Sequence, residues 1–418
     1  MNNNLTKTRG PAYAWIGLLA FLFPFLSLIT SFGVGLSSFL FPLTALFLFK
    51  NCRAALVRHW PETRWVIFAF LFNFGFAFLC YLVRPEVTIS VLEKPSRMFF
   101  AVSAMALVVA LRPSRRVLWW GVIAGAVGAM LFVGYQRLWL EIDRPGGLLN
   151  AITFGDLALC LALLAMVATI DFRHSTRQAA WPALGALAGL AASVMTGTRG
   201  GWIALVVAAL VFIRIGHLMQ SRRVRALLLA SFALFAVSYF VPAFGMHERA
   251  AQGVDDVRAW LLEDTVFTNV GLRLELWKGA AMLIGERPLF GLDVDSLRVQ
   301  MEQYVAQGRL DPAVLTMPHL HNEVLQALAT GGIIGLLAWA GMFVAPLVFF
   351  ARLLKGGGPI AANAQFVPAL AGLLVVLSYL SFGLTEVIFW SVKGSLFYAL
   401  MVFLLMGFCL IAKEEIGK

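Results

Sequence analysis

Three short stretches of this 418-residue chain carry residue types that do chemistry, in settings where those residues are costly. The first is Thr196-Gly-Thr-Arg-Gly-Gly-Trp202, where Arg199 is the sole charged residue between Gln178 and Ile213. A guanidinium in such a run is either an anchor that snorkels to the membrane interface or a functional group. The flanking Gly197, Gly200 and Gly201 favour function, because they remove side chains where a ligand or another backbone must approach. The second is Arg273-Leu-Glu-Leu-Trp277, whose arginine taken alone reads as an ordinary solvated residue. The third is Pro318-His-Leu-His-Asn-Glu-Val-Leu-Gln326. Imidazole, with an unperturbed pKa of about 6.5, suits proton transfer near neutrality, which makes His321 a candidate general base. A plainer reading has His321 and Asn322 merely capping the helix that follows, Asn being a favoured N-cap. His247, His319 and His321, completed by Glu323, can be imagined as a zinc site. No second cluster has convincing ligand spacing, however, and the expectation is that no metal is bound.

Composition says what must position these residues. The chain is 60% hydrophobic and 13% charged, with a mean hydropathy of +0.83, whereas an average globular sequence is about 25% charged. Residues 11–49, 65–83, 117–136, 178–198, 226–246, 324–351 and 356–385 are apolar stretches that each lack any Asp, Glu, Lys or Arg. A helix of about 20 such residues crosses a bilayer of about 30 Å. The fold expected is therefore all-α, a polytopic integral membrane protein, which excludes cytosolic enzymes, secreted domains and β-barrels. Lys7 and Arg9 precede an apolar run as in a signal peptide, but the run continues to Phe49 without a convincing cleavage site, so it reads as two retained helices. Cys52, Cys80, Cys160 and Cys409 show no pairing or metal-ligand spacing.

The net charge of +11 follows topology. With the N-terminus inside, the basic clusters at 7–9, 50–64, 112–116, 173–177, 214–225, 352–355 and 413–418 fall on alternate boundaries, which puts both termini in the cytoplasm with about twelve helices between them. No nucleic-acid partner is implied. The spans expected are 12–31, 33–49, 65–83, 97–111, 117–135, 151–170, 179–197, 200–215, 226–243, 324–351, 364–384 and 389–411. Three regions result: helices 1 to 9 over 1–243, a large outer loop over 244–320, and helices 10 to 12 over 321–418. The loop far exceeds a usual connection and mixes acids with arginines. Leu274, Trp277, Ala281 and Ile284 share a helical face in it, as do Val254, Val257 and Leu261, and Gly285-Glu-Arg-Pro288 ends the later helix. These short amphipathic helices are expected along the membrane surface or over the bundle. No phosphate-cradling glycine loop occurs, so no bound nucleotide and no cofactor is expected.

His321-Asn322, nine residues, then Gly332-Ile-Ile-Gly335 resembles the His-Asn-x9-Gly-x-x-Gly signature of the O-antigen ligase family, the lipopolysaccharide ligases and their relatives. Arg199 before small residues at a helix end is similar to a second family element. Arg273-x-x-x-Trp277 followed by Pro288 and Gly291 looks like the family's arginine in the large periplasmic loop. The three elements in order, over the whole chain, make the resemblance strong. It implies a GT-C-like glycosyltransferase at the periplasmic face of the bacterial inner membrane. Its donor would be polysaccharide on undecaprenyl diphosphate, its acceptor a sugar hydroxyl of lipid A-core, and membrane lipid its surroundings.

A diphosphate leaves as an anion, so the protein must chiefly neutralise charge, and an arginine fork binds phosphate oxygens bidentately. Arg199 and Arg273 are therefore expected on the donor diphosphate and His321 as base for the acceptor hydroxyl, in a direct, inverting, metal-independent displacement. Asn322, Glu323, Trp277, Gly200, Gly332 and Gly335 are expected in support, with Glu386 as a further orienting group. His319 and Lys278 map onto no family role. Two relatives share the donor, O-antigen polymerases and protein O-oligosaccharyltransferases, and the signature favours ligase over polymerase more than over protein glycosylation. A lipid-linked glycan transporter would need ionisable residues at the midplane and broken helices in both halves, whereas charge here gathers at boundaries and in one loop.

Overall fold

The computed structural model describes residues 10–173, 175–198, 200–215, 222–240, 255–262, 266–355 and 365–416. Among these residues the chain is helical, with no strand. Eight helices are long and apolar enough to cross a membrane, and a ninth span results if a pair bent by 96° is taken as one. Each of the twelve expected stretches overlaps helix, 97–111 taking in two, Glu93–Phe100 and Val102–Leu111. Of these helices, Trp202–Arg214 and Phe366–Phe382 are apolar but short, and Arg222–Phe240 is not among the candidate spans.

The helices that position the site follow from local sequence. Pro11–Ile29 (α1), Gly33–Phe47 (α2), Phe49–Arg58 (α3) and Trp60–Val83 (α4) open the chain. After Glu93–Phe100 (α5) and Val102–Leu111 (α6) comes Arg115–Leu138 (α7). Gly121 and Gly125 of α7 face α1 so closely that a Cβ on either would collide with the backbone at Phe21 or Pro24, the small-residue contact by which apolar helices approach without a hydrophobic drive. Ala151–Asp171 (α8) starts at Asn150, whose side chain accepts a hydrogen bond from Thr153 N at 2.7 Å. It is apolar all round, as a helix enclosed by others must be, and nearly every residue in it is buried. Asp171 ends it, holding Arg115 through two bonds of 2.7 Å. Thr176–Met195 (α9), Trp202–Arg214 (α10) and Arg222–Phe240 (α11) complete the first part.

The described part of the long loop has its own small core. Asn269–Glu286 (α12) and Val294–Ala306 (α13) pack Leu276, Leu283, Leu297, Met301 and Tyr304 together under a 3-10 turn at Pro312–Thr316. The helical face differs from expectation by about one residue. Leu276, Ala280 and Leu283 point inward while Ala281 is exposed, because the helix caps a folded loop rather than lying on lipid. Val257 and Leu261 are likewise exposed. The inward contact of that turn is made instead by Trp260, which donates to Glu275 at 2.9 Å. Val254 and His247 lie outside the described residues.

Glu323–Leu354 (α14), Phe366–Phe382 (α15) and Val392–Ile416 (α16) close the chain. α14 is broken at Gly332, with φ 60° and ψ −160°. The amides freed by the break donate to the connector between α12 and α13: Ile333 N to Pro288 O at 2.8 Å and Ile334 N to Leu289 O at 3.3 Å. Leu292 N returns a bond of 2.9 Å to Ala329 O. A side chain at Gly332 would collide with Leu289, and Gly291, with φ 57°, is as tightly held. Gly332 thus docks the loop onto a membrane helix, and Gly335 lies against the Phe76 ring of α4.

Candidate functional site

The Met317–Asn322 segment reaches α14 through three anchors. Trp277 of α12 donates to Leu320 O at 2.9 Å, and Gln326 accepts from Leu320 N at 3.0 Å. Asn322 caps α14, accepting from Leu325 N at 3.0 Å while its amide donates to Leu384 O at 3.2 Å. Asn322 therefore takes the capping role, and His321 does not. His321 sits at φ 50°, a left-handed conformation that histidine tolerates better than most side chains. Such backbone persists only where its surroundings impose it.

That conformation directs His321 toward the turn after α15. His321 Nδ1 lies 3.2 Å from Glu386 Oε2, and His319 Nε2 lies 3.0 Å from Glu386 Oε1. One buried carboxylate thus bridges two imidazoles, whose ring centroids are 4.4 Å apart. The nitrogens distinguish the two. His319 Nδ1 accepts from His321 N at 3.4 Å, so both of its nitrogens are engaged within the protein. His321 Nε2 faces only the Met317 sulfur, at 3.4 Å. With Nδ1–H donated to Glu386, the free lone pair of His321 is on Nε2. Burial pushes the Glu386 carboxyl up, but hydrogen bonds from His319 and His321 outweigh it and hold the group at about 2.

Arg273 approaches the same carboxylate from α12. Burial lowers its guanidinium below the ordinary value, Glu386 raises it, and Arg144 in the turn after α7 lowers it again. Among the described residues Arg273 forms no ion pair. A half-buried cation with no ion-pair partner among the described residues, beside a second arginine, is a place for an anion. Arg199 lies outside the described residues, but its neighbours are placed. Thr198 donates to Ala151 O at 2.9 Å, and a Cβ at Gly200 would strike Thr385, the residue before Glu386. The segment around Arg199 and the turn that carries Glu386 are therefore in contact.

Glu323 is not part of the imidazole cluster. Its carboxylate accepts from Phe389 N at 3.1 Å and its own N–H donates to Gly383 O at 2.8 Å, so it fixes the α15–α16 turn. In the zinc arrangement imagined from sequence, the carboxylate is thus Glu386. His319, His321 and Glu386 offer one ligand atom each, all within 4.8 Å of one another, and could hold a divalent cation. Lys278 pairs with Glu275 at 3.2 Å and belongs to the loop.

Sequence reasoning underrated Glu386 and missed Asp156. The latter is buried one turn into α8 with neither oxygen hydrogen-bonded among the described residues. It lies against Gly201, where a Cβ would meet its carboxylate, and near enough to Glu386 for the two charges to interact. Asp156 is the sole charged residue between Arg144 and Asp171, the same signal that marks Arg199.

Residues 184–340 match a family model described as O-Antigen ligase. The matched segment takes in Arg199, Arg273, His321, Gly332 and Gly335 and stops short of Glu386. An uncharacterized protein of Haemophilus influenzae is 23% identical over 294 residues, which cover 70% of this chain and 73% of that one.

Proposed function

This chain is a member of the O-antigen ligase family through residues 184–340, and from that premise we propose that it is a membrane glycosyltransferase that ligates polysaccharide from undecaprenyl diphosphate to a sugar hydroxyl of lipid A-core. The observation that carries the reading is the His321–Glu386 pair together with half-buried Arg273, which feels the Glu386 charge and forms no ion pair among the described residues. It supplies a base and an anion site close to one another, which is what displacement of a diphosphate by a hydroxyl needs.

In this mechanism the acceptor hydroxyl takes the place of the Met317 sulfur at His321 Nε2. Its oxygen attacks the anomeric carbon, its proton passes to Nε2, and the bond from that carbon to the diphosphate oxygen breaks with inversion. Glu386 stabilises the imidazolium that forms, and His319 holds Glu386 in register. Arg273 and Arg199 carry the negative charge that grows on the departing lipid diphosphate, a role in which fixed cations contribute strongly. The protein does this without cofactor or metal. Twelve helices cross the bacterial inner membrane, both termini are cytoplasmic, and the pocket faces the periplasm.

The test is reconstitution of purified protein with lipid-linked polysaccharide and, separately, rough lipopolysaccharide, an acceptor protein, or donor alone. Glycan joined to the lipopolysaccharide supports the ligase reading. Lengthened donor means a polymerase, glycosylated protein means an O-oligosaccharyltransferase, and donor moved across the bilayer without a new bond means a transporter.

A further inference from the structure

At the other end of the bundle from the site lies a second feature that glycan transfer does not use. α4 runs between the two ends, from Trp60 beside the contacts of Glu414 with Arg58 and Arg112 to Arg84, which donates to the connector at Phe290 O. Near Trp60, α2 and α3 meet at 96°. The bend opens a cavity of about 820 Å³, bounded by α2, α3, the start of α4 and the α5–α6 junction. Its walls are almost wholly apolar, with Pro42, Leu46, Cys52, Trp60 and Phe100 among them, and Arg53 is the one charged residue on them. Cavities of roughly 300–1,000 Å³ are the usual size for small ligands.

The charges at this end are unevenly matched. Arg58 and Arg112 both reach Glu414, and Lys413 pairs with Glu62 at 2.8 Å. Arg53, and Lys50 one turn before it, have no ion-pair partner among the described residues. α3 is strongly amphipathic, with Cys52 and Ala55 buried and Lys50, Arg53 and Arg58 exposed, as befits a helix lying in a membrane interface. A cation with no ion-pair partner among the described residues, at the rim of an apolar cavity, is matched by one ligand chemistry, an anionic head on an apolar tail.

We propose that the α2–α3 bend forms a binding site for an anionic phospholipid, with an acyl chain in the cavity and the phosphate on Arg53 and Lys50. The basic end of the bundle is the one the positive-inside pattern places at the cytoplasmic leaflet, where anionic lipids attract such side chains. The site anchors the tilt of α3 and α4 and is independent of the transfer reaction.

The experiment places full-length protein in phosphatidylcholine nanodiscs with a trace of phosphatidylglycerol bearing a photoreactive acyl chain. A parallel sample carries phosphatidylcholine with the same chain. Crosslinks should gather on residues 42–57 and 100–106 and favour phosphatidylglycerol at least about fivefold, the effect of each basic side chain at an anionic surface. Arg53→Gln together with Lys50→Gln, both at exposed positions, should bring the two lipids to parity. Ala45→Trp should remove crosslinks to these residues for both lipids. Equal labelling by the two headgroups in the unaltered protein, or crosslinks spread evenly around the bundle, would overturn the proposal. Stronger protection of these residues by a polyprenyl phosphate than by phosphatidylglycerol would assign the cavity to a prenyl tail and overturn it too. None of these readouts requires glycan transfer, so failure here leaves the enzymatic reading untouched.

Discussion

Replacing Glu386 by Gln keeps the shape of the side chain and removes only its charge, which isolates what the carboxylate does for the two imidazoles. The carboxyl is held at about 2 against an ordinary value of 4.5. At about 1.36 kcal/mol for each tenfold change in the protonation equilibrium, its ionised form is favoured in the fold by roughly 3 kcal/mol. Glu386 is 2% exposed, so solvent screens little of this. A carboxyl depressed in the fold stabilises it fully above the unfolded value and loses that contribution as pH falls toward the folded value. Wild type should therefore melt well above Glu386→Gln at neutral pH, and the gap should close between 4.5 and about 2. The assay is thermal unfolding of both proteins in the same detergent from about pH 7 to about pH 3. Transfer by the Gln variant should fall by about 10²- to 10⁴-fold, the range for a base that loses its orienting partner. A melting gap that stays constant across the acid range, or a Gln variant that transfers at the wild-type rate, would refute the reasoning.

Arg199→Lys should nearly abolish transfer at normal abundance, since charge remains but the bidentate fork does not; Arg273→Ala should weaken donor binding, measured with a non-reactive lipid diphosphate. His321→Ala should cost about 10²- to 10⁴-fold in transfer with donor binding preserved. His319→Ala should be milder and chelators without effect, whereas equal losses at both histidines with zinc-restorable activity would favour a metal centre. Gly332→Ala should destabilise by about 3 kcal/mol or more, read as lost abundance and a lowered melting temperature, because both φ and space exclude a side chain. Gly335→Ala, which crowds the Phe76 ring at 3.2 Å and the Ala327 carbonyl oxygen at 3.3 Å, should cost less, about 1–3 kcal/mol.

Much of this arrangement was legible in the chain itself. Unbroken apolar runs mark membrane helices because the bilayer demands internal hydrogen bonding, and each expected stretch overlaps helix, although 97–111 takes in two. His321 and Asn322 stand out because imidazole and amide are conspicuous beside apolar sequence, whereas Arg273, an ordinary loop residue taken alone, enters only through the family resemblance. Glu386 carries the same local signal, as the sole charged residue between Lys355 and Lys393, but nothing local shows its pairing, since it sits 65 residues beyond His321 in a turn whose place depends on how α14 and α15 pack. The exchange of Glu323 for Glu386 at the histidines has the same origin, since sequence proximity favours the first and tertiary packing the second. The loop helices misled by about one residue because periodicity shows that a face is apolar without showing what will cover it.

The break at Gly332 has a consequence for biogenesis. The connector at Pro288–Leu292 is made before α14, yet its backbone partners, Ala329, Ile333 and Ile334, lie well inside that later helix. Until α14 has been released into the bilayer, those amides and carbonyls lack these partners, and Arg84, just after α4, waits on the same connector. The outer loop therefore cannot mature as an autonomous globule during synthesis. Its completion is a late event that joins the first half of the chain to the last, and a chain truncated before residue 334 should be left with an unlatched loop for quality-control proteases to find.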